Sequence, residues 1–305
     1  MNAGNYPRSV RVVEVGPRDG LQHEVEMLTV KEKTDWIQAL SACGLAHIEV
    51  GSFVSPRRVP QLAETDAVCT NITLEQGYTA LIANQQGLQR ALACGLKRVA
   101  LVTAVSATFC EQNLGCSAQT AVQRVQAINA MAKGHGLWVR VYVSCAFYCP
   151  FEGEVSQTAV LQLLQRLVAM GCDEIVLSDT TGEATADRVT GLLQACQALL
   201  PVERIAVHFH DTYGQALANL LAALQAGVQV VDSAVAGLGG CPFAPGAGGN
   251  AATEDVVYLL QHMGIQTGIN LAQLIPVGQA MVQRLRVMNR SKVALALQRR
   301  ATGGA

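Results

Sequence analysis

The sequence predicts an α/β protein: a (β/α)8 TIM barrel with extra C-terminal helices. Three observations carry that prediction. Short β-branched runs alternate with longer amphipathic runs eight times along the 305 residues, the pattern of a parallel sheet covered by helices. Three segments repeat one phrase, a helix end, a glycine cap and a buried strand: ACGLKRVALVT (93–103), AMGCDEIVLSDT (169–180) and QAGVQVVDSAV (225–235). No Pro- or Ser-rich linker splits the chain, and barrels of this kind often reach this length as one unit. An open doubly wound sheet shares the alternation, but eight repeats favour closure.

The elements follow in order. VRVVEV (10–15) reads as the first strand. Thr29 is a helix N-cap with Glu32 three residues on, a capping box, and that helix runs to Cys43, where Gly44 ends it. AHIEV (46–50) is the second strand and YTALIA (78–83) the third. LWVRVYVSC (137–145) and RIAVHFH (204–210) complete the eight with the three repeated segments. A Gly-rich stretch, GLGGCPFAPGAGGN (237–250), follows strand eight, and a helix begins near Thr253. The barrel is expected over about 8–265, with trailing helices over about 270–300, in a single catalytic domain covering residues 1–305.

Composition removes several functions. Half of the residues are hydrophobic, enough for a large core, and 22 basic residues face 23 acidic ones. Nothing in that balance points to nucleic acid or a membrane surface. Apolar runs break well before the roughly 20 residues of a membrane span, and the polar start MNAGNYPRSV lacks an apolar leader core. A soluble, cytoplasmic protein is expected. The ten cysteines form no Cys-x-x-Cys pair, so they read as reduced thiols, most of them small core hydrophobes.

Chemistry in such barrels sits at the C-terminal strand ends. Strand one ends in GPRDGLQ (16–22), with Arg18 and Asp19; strand two carries Glu49; strand six ends in SDTTG (178–182), with Asp179. Strand seven ends in His208-Phe209-His210-Asp211, and strand eight leads to Cys241 and Asn250. Residues two apart on a strand share a face, so both imidazoles can aim into the barrel mouth. Two imidazoles with oxygen from Asp19 and Asn250 suit Mg²⁺, Mn²⁺ or Co²⁺ better than a thiolate zinc cage does. The alternative is a pair of histidines hydrogen-bonded at a strand end. Arg18 is either a rim ion pair or a cation aimed at a developing oxyanion. Glu49 and Asp179 are candidates for orienting the ligands or Arg18. Cys241 stands in a glycine-rich loop and not in an apolar stripe, so its thiol is a candidate proton carrier. That loop lacks the spacing of a dinucleotide fingerprint.

The motifs VGPRDGLQ (15–22), IEVGSFVSPRRVPQ (48–61), YVSCAFYCPFEG (142–153), VHFHDTYGQALAN (207–219) and VAGLGGCPFAPGAGGNAATEDVVYLL (235–260) together resemble the 3-hydroxy-3-methylglutaryl-CoA lyase family over nearly the whole chain. The resemblance implies a metal-dependent retro-Claisen cleavage giving acetyl-CoA and acetoacetate, with Mg²⁺ or Mn²⁺ as cofactor and a place in leucine degradation and ketone-body metabolism. It implies that Asp19, His208, His210 and Asn250 hold the cation. Arg18 would bind substrate and stabilise the thioester enolate, and Cys241 would take part in proton transfer. Glu49 and Asp179 match acidic positions near the family's site, and Gln22, Ser52 and Thr180 positions along its pocket. The sequence departs from the family pattern at VLSDTTG (176–182), Tyr148 and His23. Those changes cluster where the acyl group would sit and spare the metal set, which keeps a related branched 3-hydroxyacyl-CoA as an alternative substrate. A Claisen-condensing acyltransferase ranks lower, because condensing relatives lack this loop cysteine and often carry further domains. A non-catalytic metal-holding barrel is the reading from another class. An acyl-CoA is the expected partner, and the trailing helices are a candidate homodimer face.

Overall fold

The computed structural model describes residues 6–22, 24–75, 77–240 and 249–302. Its main sheet contains β1 (Arg11–Glu14), β2 (Glu49–Phe53), β3 (Thr79–Ile82), β4 (Arg98–Ala104), β5 (Trp138–Ser144), β6 (Glu174–Asp179), β7 (Ile205–Phe209) and β8 (Val230–Ser233). Neighbours in sequence are neighbours in space: β2 to β8 pair in succession, and β8 pairs with β1. Every one of these pairings is parallel. The parallel bridge Glu14↔Ile48 joins the first strand to the second and completes the ring. The expected barrel is therefore the observed fold.

A helix follows each strand: α1 (Val30–Ala42), α2 (Thr65–Asn71), α3 (Gln85–Ala93), α4 (Ala118–Gly134), α5 (Gln157–Ala169), α6 (Ala186–Cys196), α7 (Ala216–Gln225) and α8 (Thr253–His262). The trailing helices are α9 (Leu271–Leu285) and α10 (Lys292–Thr302). The capping box of α1 is present: Thr29 Oγ1 accepts from the Glu32 amide at 3.2 Å, and Glu32 Oε2 accepts from the Thr29 amide at 2.7 Å. Gly44 ends this helix at φ +94°, a conformation that a side chain would strain. Most strand residues are buried because barrel interior and helical layer cover both faces. Among the described residues no helix is long and apolar enough to cross a membrane.

The second strand differs from its sequence reading. It begins at Glu49 and runs through Gly51 and Ser52 to Phe53, where 46–50 is the apolar run. Gly-Ser reads locally as a turn, yet here it pairs with β3 across a register shift between Glu49 and Ser52. The Ser52 amide and carbonyl both bond Thr65 Oγ1, at 3.1 and 3.0 Å, so a contact 13 residues away holds this stretch extended.

Two buried glutamates fasten the junction between the first and last strands. Glu14 Oε1 accepts from the amides of Gly16 (2.8 Å) and Val235 (2.9 Å), and its Oε2 accepts from Thr253 Oγ1 (2.6 Å). Glu254 accepts from the Ala236 amide at 2.8 Å. These carboxyls set the end of β8 against the start of the turn that carries Arg18 and Asp19. Burial pushes Glu14 up to about 7, against its hydrogen bonds, and Glu254 up to about 8.

A raised carboxyl pKa means the folded chain keeps protons that the unfolded chain releases. The resulting stability is fully present below the unfolded pKa of about 4.5 and is lost as pH rises through about 7 to 8. Glutamine is neutral throughout. Urea unfolding of wild type beside Glu14→Gln and Glu254→Gln is therefore expected to show wild-type stability falling relative to each variant between about pH 5 and pH 8. A constant difference across that range would exclude the raised values.

Candidate active site

The barrel mouth opens into a cavity of about 980 Å³. Arg18, Asp19, Gln22, Ser52, Thr180, His208 and His210 line its polar end. Arg18 and Asp19 come from the tight turn Gly16–Gly20 that follows β1. His208 lies within β7, and His210 follows that strand and bridges antiparallel to Asn250. The bridge brings Asn250, at the far end of the Gly-rich segment, beside the histidine pair.

Asp19 is the centre of this group. Its Oδ2 lies 4.0 Å from His208 Nε2 and 3.9 Å from His210 Nε2. Asn250 Nδ2 donates to the same oxygen at 2.9 Å, while Asp19 Oδ1 accepts from Arg18 Nη1 at 2.5 Å and Gln22 Nε2 at 3.1 Å. Burial alone would raise the Asp19 pKa. Arg18, then His208 and His210, outweigh it and hold the carboxyl well below the usual range. A Cβ at residue 239 would lie 2.7 Å from Asn250 Nδ2, so Gly239 at φ +106° leaves that amide its place.

The donor set fits a divalent cation. Ligand atoms of Asp19, His208 and His210 all lie within 4.8 Å of one another, and all three residues are buried. Two donor atoms each about 2.1 Å from one ion stand at most about 4.2 Å apart, and the Asp19–histidine separations of 3.9 and 4.0 Å lie within that reach. Asn250 Oδ1 is buried without a hydrogen-bond partner, a costly state that coordination would relieve. Charge agrees. Along the barrel interior, Arg11, Arg18 and Arg140 face Asp19, Glu49, Glu174 and Asp232 in one linked set. Three cations against four anions leave a single negative charge. A divalent ion turns that to a single positive charge, and one substrate carboxylate neutralises it.

Arg18 is held from two sides. Glu49 Oε2 accepts from its Nε at 2.6 Å, opposite the Asp19 contact, and its guanidinium carbon stands 5.1 Å from the Tyr142 ring centroid. Burial opposes the charge of Arg18, but Glu49 and Asp19 outweigh burial and keep it ionised. Glu49 itself lies below the mouth and does not line the cavity, so it acts on Arg18 and not on a ligand in the cavity.

Asp179 is placed differently from the convergent rim read in the sequence. Its Oδ1 and Oδ2 accept from the amides of Gly182 and Ala184, both at 3.1 Å, and it does not line the cavity. Burial raises its pKa to about 7, against those amides. Strand alternation explains the difference: Ser178 and Thr180 face the mouth, and Asp179 between them faces away. Asp179 thereby shapes the loop that presents Thr180, whose Oγ1 accepts from the Cys145 amide at 2.8 Å. Ser52 Oγ donates to the Leu81 carbonyl at 3.3 Å along the same wall. Cys241 and His23 lie outside the described residues.

Three interior groups escaped the sequence reading: Arg140, Tyr142 and Asp232. Arg140 Nη2 donates to Asp232 Oδ1 at 2.7 Å, and Tyr142 OH, with one proton to give, lies 2.9 Å from Asp232 Oδ2 and 3.1 Å from Glu49 Oε2. Asp232 Oδ2 is also 3.4 Å from His208 Nδ1. A signal was present, since Arg140 and Asp232 interrupt apolar β runs, WVRVYVS and VVDS, and a charge inside a buried strand needs a partner.

A family model described as HMGL-like matches residues 9–281. The chain is 48% identical over 295 residues to the protein named hydroxymethylglutaryl-CoA lyase, mitochondrial, of Pongo abelii, covering 96% of this chain and 91% of that one. It is 46% identical over 299 residues to the 3-hydroxy-3-isohexenylglutaryl-CoA/hydroxymethylglutaryl-CoA lyase of Pseudomonas aeruginosa, covering 97% and 100%. Among solved structures, an HMG-CoA lyase from Acinetobacter baumannii in complex with coenzyme A and 3-methylmalate superposes with a TM-score of 0.90 at 36% identity, covering 95% of each chain.

Removing one member of a buried ion pair strands the other. Glu49→Ala is therefore expected to lower unfolding free energy by about 3–5 kcal/mol, measured by urea denaturation. A loss below about 1 kcal/mol, the ordinary surface ion-pair value, would show that Arg18 is held by Asp19 alone.

Proposed function

Because the chain belongs to the HMGL-like family, we propose that it cleaves 3-hydroxy-3-methylglutaryl-CoA to acetyl-CoA and acetoacetate. The observation that carries this reading is the juxtaposition of the Asp19–His208–His210–Asn250 donor set with a guanidinium, Arg18, inside one deep cavity. Asp19, His208, His210 and Asn250 hold the cation, for which the nitrogen and oxygen donors favour Mg²⁺ or Mn²⁺. When bound, such an ion would make the tertiary hydroxyl more acidic.

The reaction breaks the carbon–carbon bond beside the hydroxyl-bearing carbon. A general base takes the hydroxyl proton, the carbon–carbon bond breaks as the hydroxyl carbon becomes the ketone of acetoacetate, and the bonding electron pair passes to the thioester as an enolate. Arg18 is preorganised for that charge, because Glu49 and Asp19 have already fixed its direction in a site shielded from water. Gln22, Ser52 and Thr180 shape the wall around the acyl group. The enolate carbon then takes a proton, for which Cys241 is our donor on sequence grounds. The electron count closes without a redox cofactor. The free thiols among the described residues suit a reducing compartment, and we place the protein in the cytoplasm. A homodimer through the trailing helices completes the reading.

A second reading keeps this cleavage and enlarges the group on the hydroxyl-bearing carbon. Leu81, Leu101, Phe109, Val125 and Ile128 line the same cavity, apolar surface suited to a group larger than methyl. A relative 46% identical carries an isohexenyl substrate in its name.

Coupled assay of acetyl-CoA release, on metal-depleted and metal-restored protein, tests the first reading. Activity is expected only with Mg²⁺ or Mn²⁺; full turnover after exhaustive metal removal excludes it. His208→Ala and Asp19→Ala are expected to abolish turnover. Arg18→Met is expected to lower kcat by on the order of 10²–10³, the value of one preorganised charge donor. A panel pairing the methylglutaryl and isohexenylglutaryl thioesters decides between the readings. If the methylglutaryl substrate leads in kcat/KM by about tenfold or more, the enlarged group is excluded.

A further inference from the structure

Asp232 does not line the cavity, yet it lies directly behind His208. It is paired in register with His208 across β7 and β8 and is fully buried, as is Arg140. Its Oδ1 is taken by Arg140 and its Oδ2 by Tyr142, so the carboxylate is held on two sides. His208 Nδ1 stands 3.4 Å from Oδ2 and is buried with no formed hydrogen bond among the described residues, Oδ2 being the acceptor within its reach.

We infer that Asp232 is a positioning residue that keeps the His208 proton on Nδ1 and so leaves Nε2 free to bind the cation. A neutral imidazole has one N–H and one lone pair, and the partner of one nitrogen decides which is which. An ionised carboxylate can only accept, so Nδ1 must donate to it. The lone pair then belongs to Nε2, the nitrogen that points at Asp19. Asp232 is the buried counter-ion of Arg140, 2.7 Å from its Nη2. An anion behind the ring also makes Nε2 a stronger donor. Arg140 is anchored in turn by Glu174, 3.2 Å from its Nε, and Glu174 pairs with Arg11. The metal ligand is thus braced through the barrel axis from its opposite end.

The inference rests on the metal reading above, and the test separates the two. The whole protein is titrated with Mn²⁺ and free ion is read by electron paramagnetic resonance. Asp232→Asn is expected to weaken binding by about 10–100-fold. Arg140 would keep the asparagine oxygen at the Oδ1 position, which puts the NH₂ at the Oδ2 position facing Tyr142 and His208 and favours the wrong tautomer. Wild-type protein that binds no Mn²⁺ overturns the metal reading. Wild type that binds it while folded Asp232→Asn binds within about twofold overturns the role of Asp232, even if the variant melts lower. Should Asp232→Asn not fold, wild type carries the test alone. Long-range ¹H–¹⁵N spectra of the metal-free protein, with the His208 signals assigned through His208→Gln, are expected to show the proton on Nδ1. A proton on Nε2 overturns the inference.

Discussion

The rest of the site depends on a line of charges sealed inside the barrel. Glu174, Arg140, Asp232, Tyr142, Glu49, Arg18 and Asp19 follow one another in contact from the base of the strands to the mouth. Each of these groups would be expensive to bury alone, and each is made tolerable by the next. Such a chain fixes direction as well as charge. Arg18 cannot swing away without exposing Glu49, and Asp232 cannot turn without abandoning Arg140. A site built in this way arrives at the mouth already oriented.

The rim loops are secured by different means. Glu14 and Glu254 bind backbone amides and a hydroxyl, and the raised pKa of both carboxyls shows how little compensating charge surrounds them. Asp179 does the same for the loop after β6. Thus the acidic residues divide by neighbourhood. Those facing guanidinium groups or imidazoles serve charge and ligand geometry, while those facing amides shape the turns that present the wall of the cavity.

Much of the local pattern was legible in the sequence. Alternation marked the strands, Thr29 and Glu32 marked the first helix cap, and the two-residue spacing of His208 and His210 put both rings on one face. The grouping of Asp19 and Asn250 with them, 231 residues apart, was read from their places at the C-terminal strand ends of the expected barrel, and the family resemblance implied the same set. The second strand was misplaced because Gly-Ser is a turn signal unless something distant holds it extended, and that something is Thr65. Asp179 was read as facing the mouth, although its neighbours Ser178 and Thr180 take that face.

The sequence by itself therefore determined the fold class, the helix ends and the residue types of a nitrogen and oxygen metal site. These are matters of local periodicity, capping and side-chain chemistry. Tertiary structure alone decided which charges meet inside the ring: that Asp232 stands behind His208, that Glu49 grips Arg18 and that Arg140 joins them to the barrel base. Those partnerships depend on strand register and on closure of the sheet, which bring residues on different strands to the same depth. No local feature of a chain encodes depth, because it exists only once all eight strands are in place.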